Sequence, residues 1–193
     1  MPLHHRGTEL IATERLLLRR IEVSDAEVMF RTWASDPEVT RYLMWKPHDS
    51  VESTKQLLGI WERGYENPAT YLWGIEYVPD HKLIGTISLV DKGEISERAD
   101  IGYCIARPYW GMGITTEALR AVVDFCFDSV GYHRLAILHN VTNPASGRVA
   151  AKAGMVQEGI LRGYTYDSTA PHVDCCVWSI LATDPRPWNN QQG

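Results

Sequence analysis

The 193-residue chain has no run of clustered Lys and Arg; its 19 basic and 24 acidic residues leave a formal charge of −5. Proteins that grip nucleic acid through its phosphates need such clusters, so no direct nucleic-acid partner is expected. No stretch approaches the roughly 20 apolar residues that span a bilayer. The opening residues show no long apolar segment with a small-residue cleavage site. No membrane partner is therefore expected. Cysteine is scarce: Cys104, Cys126, Cys175 and Cys176 match neither a zinc pattern nor a redox CxxC. The seven histidines show no HxxxH-like spacing, so no metal is expected. Internal repeats and low-complexity linkers are also missing. Buried, reduced cysteines and a cytoplasmic location are the combined expectation.

What is present is ordinary globular material, 45% hydrophobic and 22% charged, enough for one compact domain. Its ordered core is expected over about Glu14 to Leu181, with a frayed tail rich in Pro, Asn and Gln. Glu14–Glu22 reads as a first strand. Ser24 and Asp25 offer an N-cap for a short helix through Trp33, and Asp36-Pro37 opens another. Val51–Trp61 is helical by its apolar spacing. Tyr71–Val78 and Leu83–Val90 form a hairpin around Pro79-Asp80-His81-Lys82. Ala99–Ala106 is a strand, Arg107–Gly113 a loop, and Ile114–Phe127 a helix with Ala118, Leu119, Val122, Val123 and Cys126 on one face. Arg134–His139 is a strand, parallel to Ala99–Ala106 because a helix crosses between them. Asn143–Ala153 is a helix with Asn143 as cap, Pro144 as first residue and Gly154 past its end. Met155–Arg162 and His172–Leu181 are the closing strands.

The most informative stretch joins a strand to a helix through Trp110-Gly111-Met112-Gly113. A helix N-terminus presents unpaired N–H groups and partial positive charge. Glycines let the backbone curl around an anion, and successive inward amides make a phosphate cradle. A Walker A site would need Gly-Lys-Ser or Gly-Lys-Thr, which is missing. A Rossmann fingerprint would need a third glycine where Thr116 stands. A pyrophosphate such as that of coenzyme A remains.

The run Trp110 to Ala118 (Trp-Gly-x-Gly-x-x-x-Glu-Ala) resembles motif A of the GNAT acetyltransferase superfamily, in its RimJ/RimL-type branch. Further segments are similar to that branch: Asn143-Pro-Ala-Ser146, Lys152-Ala-Gly154-Met155, Glu158-Gly159, Asp100-Ile-Gly-Tyr103, Thr13-Glu-Arg-Leu16 and His172-Val-Asp174. The resemblance covers nearly the whole chain. It implies an α+β fold: a mostly antiparallel, strongly twisted central sheet with one splayed parallel strand pair and helices on both faces. It implies acetyl-CoA as cosubstrate. The main chain of Cys104, Ile105 and Ala106 is expected to meet pantetheine in the splay, and the backbone of Trp110, Gly111, Met112, Gly113, Ile114 and Thr115 to take the pyrophosphate. The position where many relatives carry Gln or Arg, three residues before the first loop glycine, is Pro108. Arg107, one residue further back, could reach a phosphate.

Acetyl transfer needs a neutral amine, a stabilised oxyanion and a partner for the departing thiolate. The tyrosine that many superfamily members place seven residues after the helix-capping Asn is Ala150 here. The resemblance points instead to Ser146 for the leaving group and to Asn143 for cofactor contact, alongside its N-cap role. The Glu that some relatives place beyond Glu-Gly is Thr165 here. Asp100 is the strand-borne carboxylate nearest the expected acceptor pocket; Glu97, Asp174 and a water-mediated base are the other options. At pH 7, deprotonating an α-amine costs about 1 kcal/mol and a lysine amine about 4.6 kcal/mol. A site without a strong base suits the α-amine, which favours a protein N-terminus. A small-molecule amine acetyltransferase and a non-catalytic acyl-CoA-binding module are the alternatives. Exposed strand edges and family habit allow a homodimer.

Overall fold

The computed structural model describes residues 2–188. Eight strands form one sheet: β1 (Ile11–Ala12), β2 (Leu16–Arg19), β3 (Leu72–Tyr77), β4 (Lys82–Gly93), β5 (Arg98–Ile105), β6 (Arg134–Asn140), β7 (Val156–Thr165) and β8 (Val173–Leu181). Their spatial order is β1-β2-β3-β4-β5-β6-β8-β7. Neighbours are antiparallel except β5 and β6, which run parallel. Helix α4 (Ile114–Phe125) joins that pair, and α5 (Pro144–Lys152) follows β6. The short α1 (Ala26–Met29) and α2 (Pro37–Thr40) and the longer α3 (Val51–Gly64) lie between β2 and β3 in the chain.

Alternation along each strand explains the two-sided core. On β5, Ala99, Ile101 and Ile105 pack in one cluster with Ala118, Leu119, Val122 and Val123 of α4 and Ala150 of α5. Cys104 points the other way, to a second cluster with Met29, Trp33 and Leu58. Helices therefore cover both faces of the sheet. The spacing-based face of α4 is fully buried, as are Trp33 and Trp73. All four cysteines are free, with Cys126 and Cys175 buried and Cys104 and Cys176 half-buried.

Most elements lie within a few residues of their sequence-based bounds. The first strand is shorter, beginning at Leu16, and the small strand β1 precedes it. The helix expected through Trp33 is interrupted. After α1 the turn widens over Phe30–Ala34, where the Ser35 N–H reaches back five residues to the Phe30 carbonyl at 3.2 Å. The Ser35 hydroxyl donates to the same carbonyl at 2.7 Å, a side-chain competitor for a helical bond. The helix α4 ends in a similar widening over Cys126–Val130, closed by left-handed Gly131.

Order extends beyond the expected core. The His4 N–H donates to the Val130 carbonyl at 2.8 Å, and the His5 ring meets both the Tyr71 hydroxyl and the Glu94 carboxylate at 3.0 Å. At the other end, Arg186 grips Asp128 through two bonds of 2.8 and 2.9 Å, and the Trp188 indole donates to Asp124 at 2.9 Å. Arg186 and Trp188, within the stretch expected to fray, are thus tied to the α4 segment. Two acidic side chains one helical turn apart on the α4 segment supply its anchor. Residues 189–193 of that tail lie outside the described residues.

Candidate active site

The site begins where the parallel pair comes apart. The two strands pair at Arg98–Arg134, Ala99–Leu135 and Asp100–Ala136 and then stop, although β5 continues to Ile105 and β6 to Asn140. The alternation of main-chain direction decides which groups face the opening. His133 N–H bonds the Glu97 carbonyl on the β6 side, and Ala106 N–H bonds the Ile84 carbonyl on the β4 side. Counting by twos, Ile101, Tyr103 and Ile105 turn their peptide groups toward β6. Cys104 and Ala106 turn theirs toward β4. Of the three residues expected to offer pantetheine contacts, Ile105 turns its peptide group toward the gap, as does Tyr103, while Cys104 and Ala106 face β4. The Ile105 carbonyl already accepts the Trp110 indole N–H at 2.8 Å, which leaves the Ile105 N–H.

The loop expected to hold a pyrophosphate leads straight into α4. Gly111 and Gly113 both have φ of +77°, a left-handed conformation that an L side chain adopts only under strain. Gly113 is the N-cap of α4 and offers no side-chain oxygen to the first-turn amides. A Cβ on Gly111 would meet nothing within 4 Å, so the loop surface there is open. Trp110 and Met112 are exposed, while Ile114 anchors the helix start in the core. The Thr115 side chain is half-buried beside it. A curled, uncapped helix N-terminus of this kind fits a diphosphate.

Two motifs noted separately in the sequence turn out to be partners. Glu117, in the first turn of α4, accepts from the Thr13 hydroxyl at 2.6 Å, the Arg15 N–H at 3.0 Å and the Arg15 Nε at 2.8 Å. Arg15 Nη1 then donates to the Met112 carbonyl at 3.1 Å. The start of β2 thereby fixes the outer side of the loop. These bonds hold the Glu117 carboxyl below the usual carboxylate range against the opposing effect of burial. A surface hollow of about 890 Å³ lies on this outer flank of α4 beside Arg15 and Arg120 rather than in the strand gap.

On the far arm, Asn143 caps α5 by accepting from the Ser146 N–H at 3.4 Å. Ser146 is buried, and its Oγ lies 2.7 Å from the Tyr103 Oη. Burial pushes the Tyr103 phenol up to about 12. Asp100 lies on the opposite face of β5, at the last paired position. Burial, with a smaller contribution from Asp91, pushes its carboxyl up to about 6, and the nearest cation, Arg98, is 3.9 Å away. Two other carboxylates of the region, Asp174 and Glu158, are engaged. Asp174 accepts from the Gly163 N–H at 2.7 Å. Glu158 takes both Arg134 and the Ser179 hydroxyl, which hold it down at about 2. Arg107 pairs with Asp36, the cap of α2, at 3.1 Å.

The β6–α5 turn is tied to its surroundings. Asn140 donates to Asp167 at 2.7 Å, and Tyr42 donates to the Thr142 carbonyl at 3.1 Å. These links bring the β7–β8 loop and the end of α2 to one rim of the gap. Among the described residues, no group of three His, Cys, Asp or Glu side chains could hold a metal ion. No described helix is long and apolar enough to cross a membrane.

Residues 15–156 match the family model for the acetyltransferase (GNAT) domain. The chain belongs to the GNAT acetyltransferase family. It is 34% identical over 172 residues to the uncharacterised N-acetyltransferase YoaA of Bacillus subtilis (strain 168), covering 89% of this chain and 96% of that protein. It is also 34% identical over 83 residues to the ribosomal-protein-serine acetyltransferase of Escherichia coli (strain K12), covering 43% of this chain and 46% of that protein. A crystal structure of the microcin C7 self-immunity acetyltransferase MccE, in complex with acetyl-CoA and AMP, shares the fold. Its TM-score is 0.79 at 19% identity, over 88% of this chain and 93% of that one. This GNAT chain is an acetyl-CoA-dependent N-acetyltransferase, and its separated β5–β6 pair is the structural feature the family resemblance anticipated. Tyr103 and the Thr13–Arg15–Glu117 bracket are the site residues whose roles the sequence reading missed. All four stood inside quoted motifs, but spacing along the chain does not reveal a bond between distant segments.

Proposed function

We propose that the protein acetylates the α-amine of a protein or peptide N-terminus, by direct attack in a ternary complex with acetyl-CoA. One observation carries the reading: a buried hydroxyl, Ser146, and an under-compensated carboxylate, Asp100, flank the strand gap from opposite faces of β5. The peptide N–H groups of Tyr103 and Ile105 would meet pantetheine, and the Gly111–Thr115 amides would meet the pyrophosphate. Asp100, acting directly or through a water, takes a proton from the ammonium. The amine nitrogen then attacks the thioester carbon, and a β5 N–H facing the gap steadies the oxyanion. As the C–S bond breaks, its electron pair goes to sulfur, where Ser146 donates a hydrogen bond. After attack the nitrogen sheds a second proton, which balances the one the thiolate finally takes, while the first passes from Asp100 to solvent.

The proposed base favours one acceptor class. A carboxyl near 6 lies about 2.5 kcal/mol from an α-ammonium but about 6 kcal/mol from a lysine ammonium. The ribosomal-protein-serine acetyltransferase among the relatives agrees with this choice. The four free cysteines suit a reducing, cytoplasmic compartment. The test is thiol release from acetyl-CoA with three acceptor sets: peptides with free N-termini, the same peptides N-terminally blocked but carrying lysine, and small amines including polyamines and aminoglycosides. Turnover confined to the first set is expected. Turnover confined to the third would replace the reading with a small-molecule one. Tight acetyl-CoA binding without turnover in any set would leave a binding module.

A further inference from the structure

We propose that Tyr103 is a positioning residue that aims the Ser146 hydroxyl into the β5–β6 opening, readying it to donate to sulfur. The inference rests on the reading of Ser146 as the leaving-group partner. Tyr103 lies beyond Asp100, the last β5 residue paired with β6. Ser146 lies in the first turn of α5, on the arm that follows β6. Their 2.7 Å contact therefore bridges the two arms where the strands have parted.

A serine hydroxyl has one hydrogen to give and two lone pairs to offer. A phenol is the more acidic hydroxyl and the better donor of the two. Burial keeps this phenol protonated well above neutral pH. With the Tyr103 O–H directed at Ser146 Oγ, the serine hydrogen is left for another acceptor. A donor chain of this kind also polarises its second member. The competing partner for Tyr103, the Ser146 carbonyl, is at 3.4 Å, a much poorer distance. Asn143 meanwhile accepts from the Ser146 N–H in a long cap bond of 3.4 Å, so the shortest contact on the serine is the one to its hydroxyl.

The nearby titratable groups do not offer this role. Asp100 and Cys104 occupy the opposite face of β5, where Cys104 Sγ lies 3.2 Å from the Thr86 hydroxyl. On β6, His139 is held between the Asn140 carbonyl at 2.8 Å and the Trp178 indole N–H at 3.1 Å. On α5, Arg148 and Lys152 are exposed. Replacing Tyr103 by Phe keeps the ring and removes only the bond.

The test needs no acceptor. Calorimetry would measure the affinity of wild type, Tyr103→Phe and Ser146→Ala for coenzyme A with a free thiol, and for acetyl-CoA, at pH 7 and 9.5. A hydroxyl donating to the thiolate favours the ionised thiol. Coenzyme A should therefore gain about tenfold in affinity over this range relative to acetyl-CoA, the scale of one hydrogen bond to a charged group. Ser146→Ala should abolish the gain. Tyr103→Phe should cut it to threefold or less while acetyl-CoA affinity stays within twofold. The ratio between the two ligands cancels any change in the fraction of folded protein. A full tenfold gain in Tyr103→Phe, with the gain lost in Ser146→Ala, would overturn the role of Tyr103 alone. A gain that survives in Ser146→Ala would overturn the reading beneath it.

Discussion

Replacing Asp100 by Asn separates the cost of this carboxylate to the fold from its use in the reaction. The side chain is 16% exposed and has Arg98 at 3.9 Å as its nearest cation. Its carboxyl is pushed up to about 6, chiefly by burial. The folded protein therefore favours the neutral acid. The resulting penalty is absent while the group is protonated in both folded and unfolded chains. It grows as pH rises through the unfolded value and is complete above about 6. A gap of roughly two pH units corresponds to about 3 kcal/mol for a fully buried group; partial solvation reduces this to about 1 kcal/mol. Asparagine keeps the shape without the charge. Urea titrations at pH 5 and pH 8 should show the variant gaining about 1 kcal/mol on wild type at pH 8 and less at pH 5. Activity should move the other way. A general base contributes roughly 10²- to 10⁴-fold, so kcat for thiol release with a free-N-terminus peptide should fall by at least about a hundredfold. The wild-type acid limb near pH 6 should vanish with it. A variant within twofold of wild-type kcat from pH 5 to pH 9 would refute Asp100 as the base. A variant less stable than wild type at pH 8 would refute the burial argument itself.

Other perturbations probe the scaffold. Gly113→Ala forces a side chain into a left-handed conformation; it should cost about 1–2 kcal/mol in stability, and calorimetry should show weaker acetyl-CoA binding. Glu117→Gln removes the charge that Arg15 pairs with at 2.7 Å; a loss of about 1–3 kcal/mol in urea unfolding is expected, with acetyl-CoA affinity falling as Arg15 releases the Met112 carbonyl. Leu119→Ala opens a cavity at a fully buried position of α4 and should cost about 2–5 kcal/mol in the same assay, with the protein still binding acetyl-CoA where it remains folded.

Local chemistry made most elements legible. Asn143-Pro144 at the start of α5 and Gly154 just past its end are end signals that act within one turn, and the helix runs from Pro144 to Lys152 between them. The apolar positions of α4 recur at helical spacing, and the same side chains fill the core. The widened turns at Phe30–Ala34 and Cys126–Val130 were not legible, because a five-residue reach depends on what the neighbouring side chains and tail offer. Arg107 shows the same limit: its charge was visible, but its pairing with Asp36 is set by where α2 sits.

The sequence by itself determined the Asp36 and Asn143 caps, the strand alternation, the glycine-permitted curl before α4 and, through its motifs, the family. Each of these is settled by interactions among residues a few places apart. Tertiary structure alone decided the residue, Asp100, after which β5 and β6 part, that Glu117 holds Thr13 and Arg15, and that Tyr103 reaches Ser146. The side-chain contacts join residues 43 to 104 positions apart. Their distances exist only once the whole sheet has closed around its core.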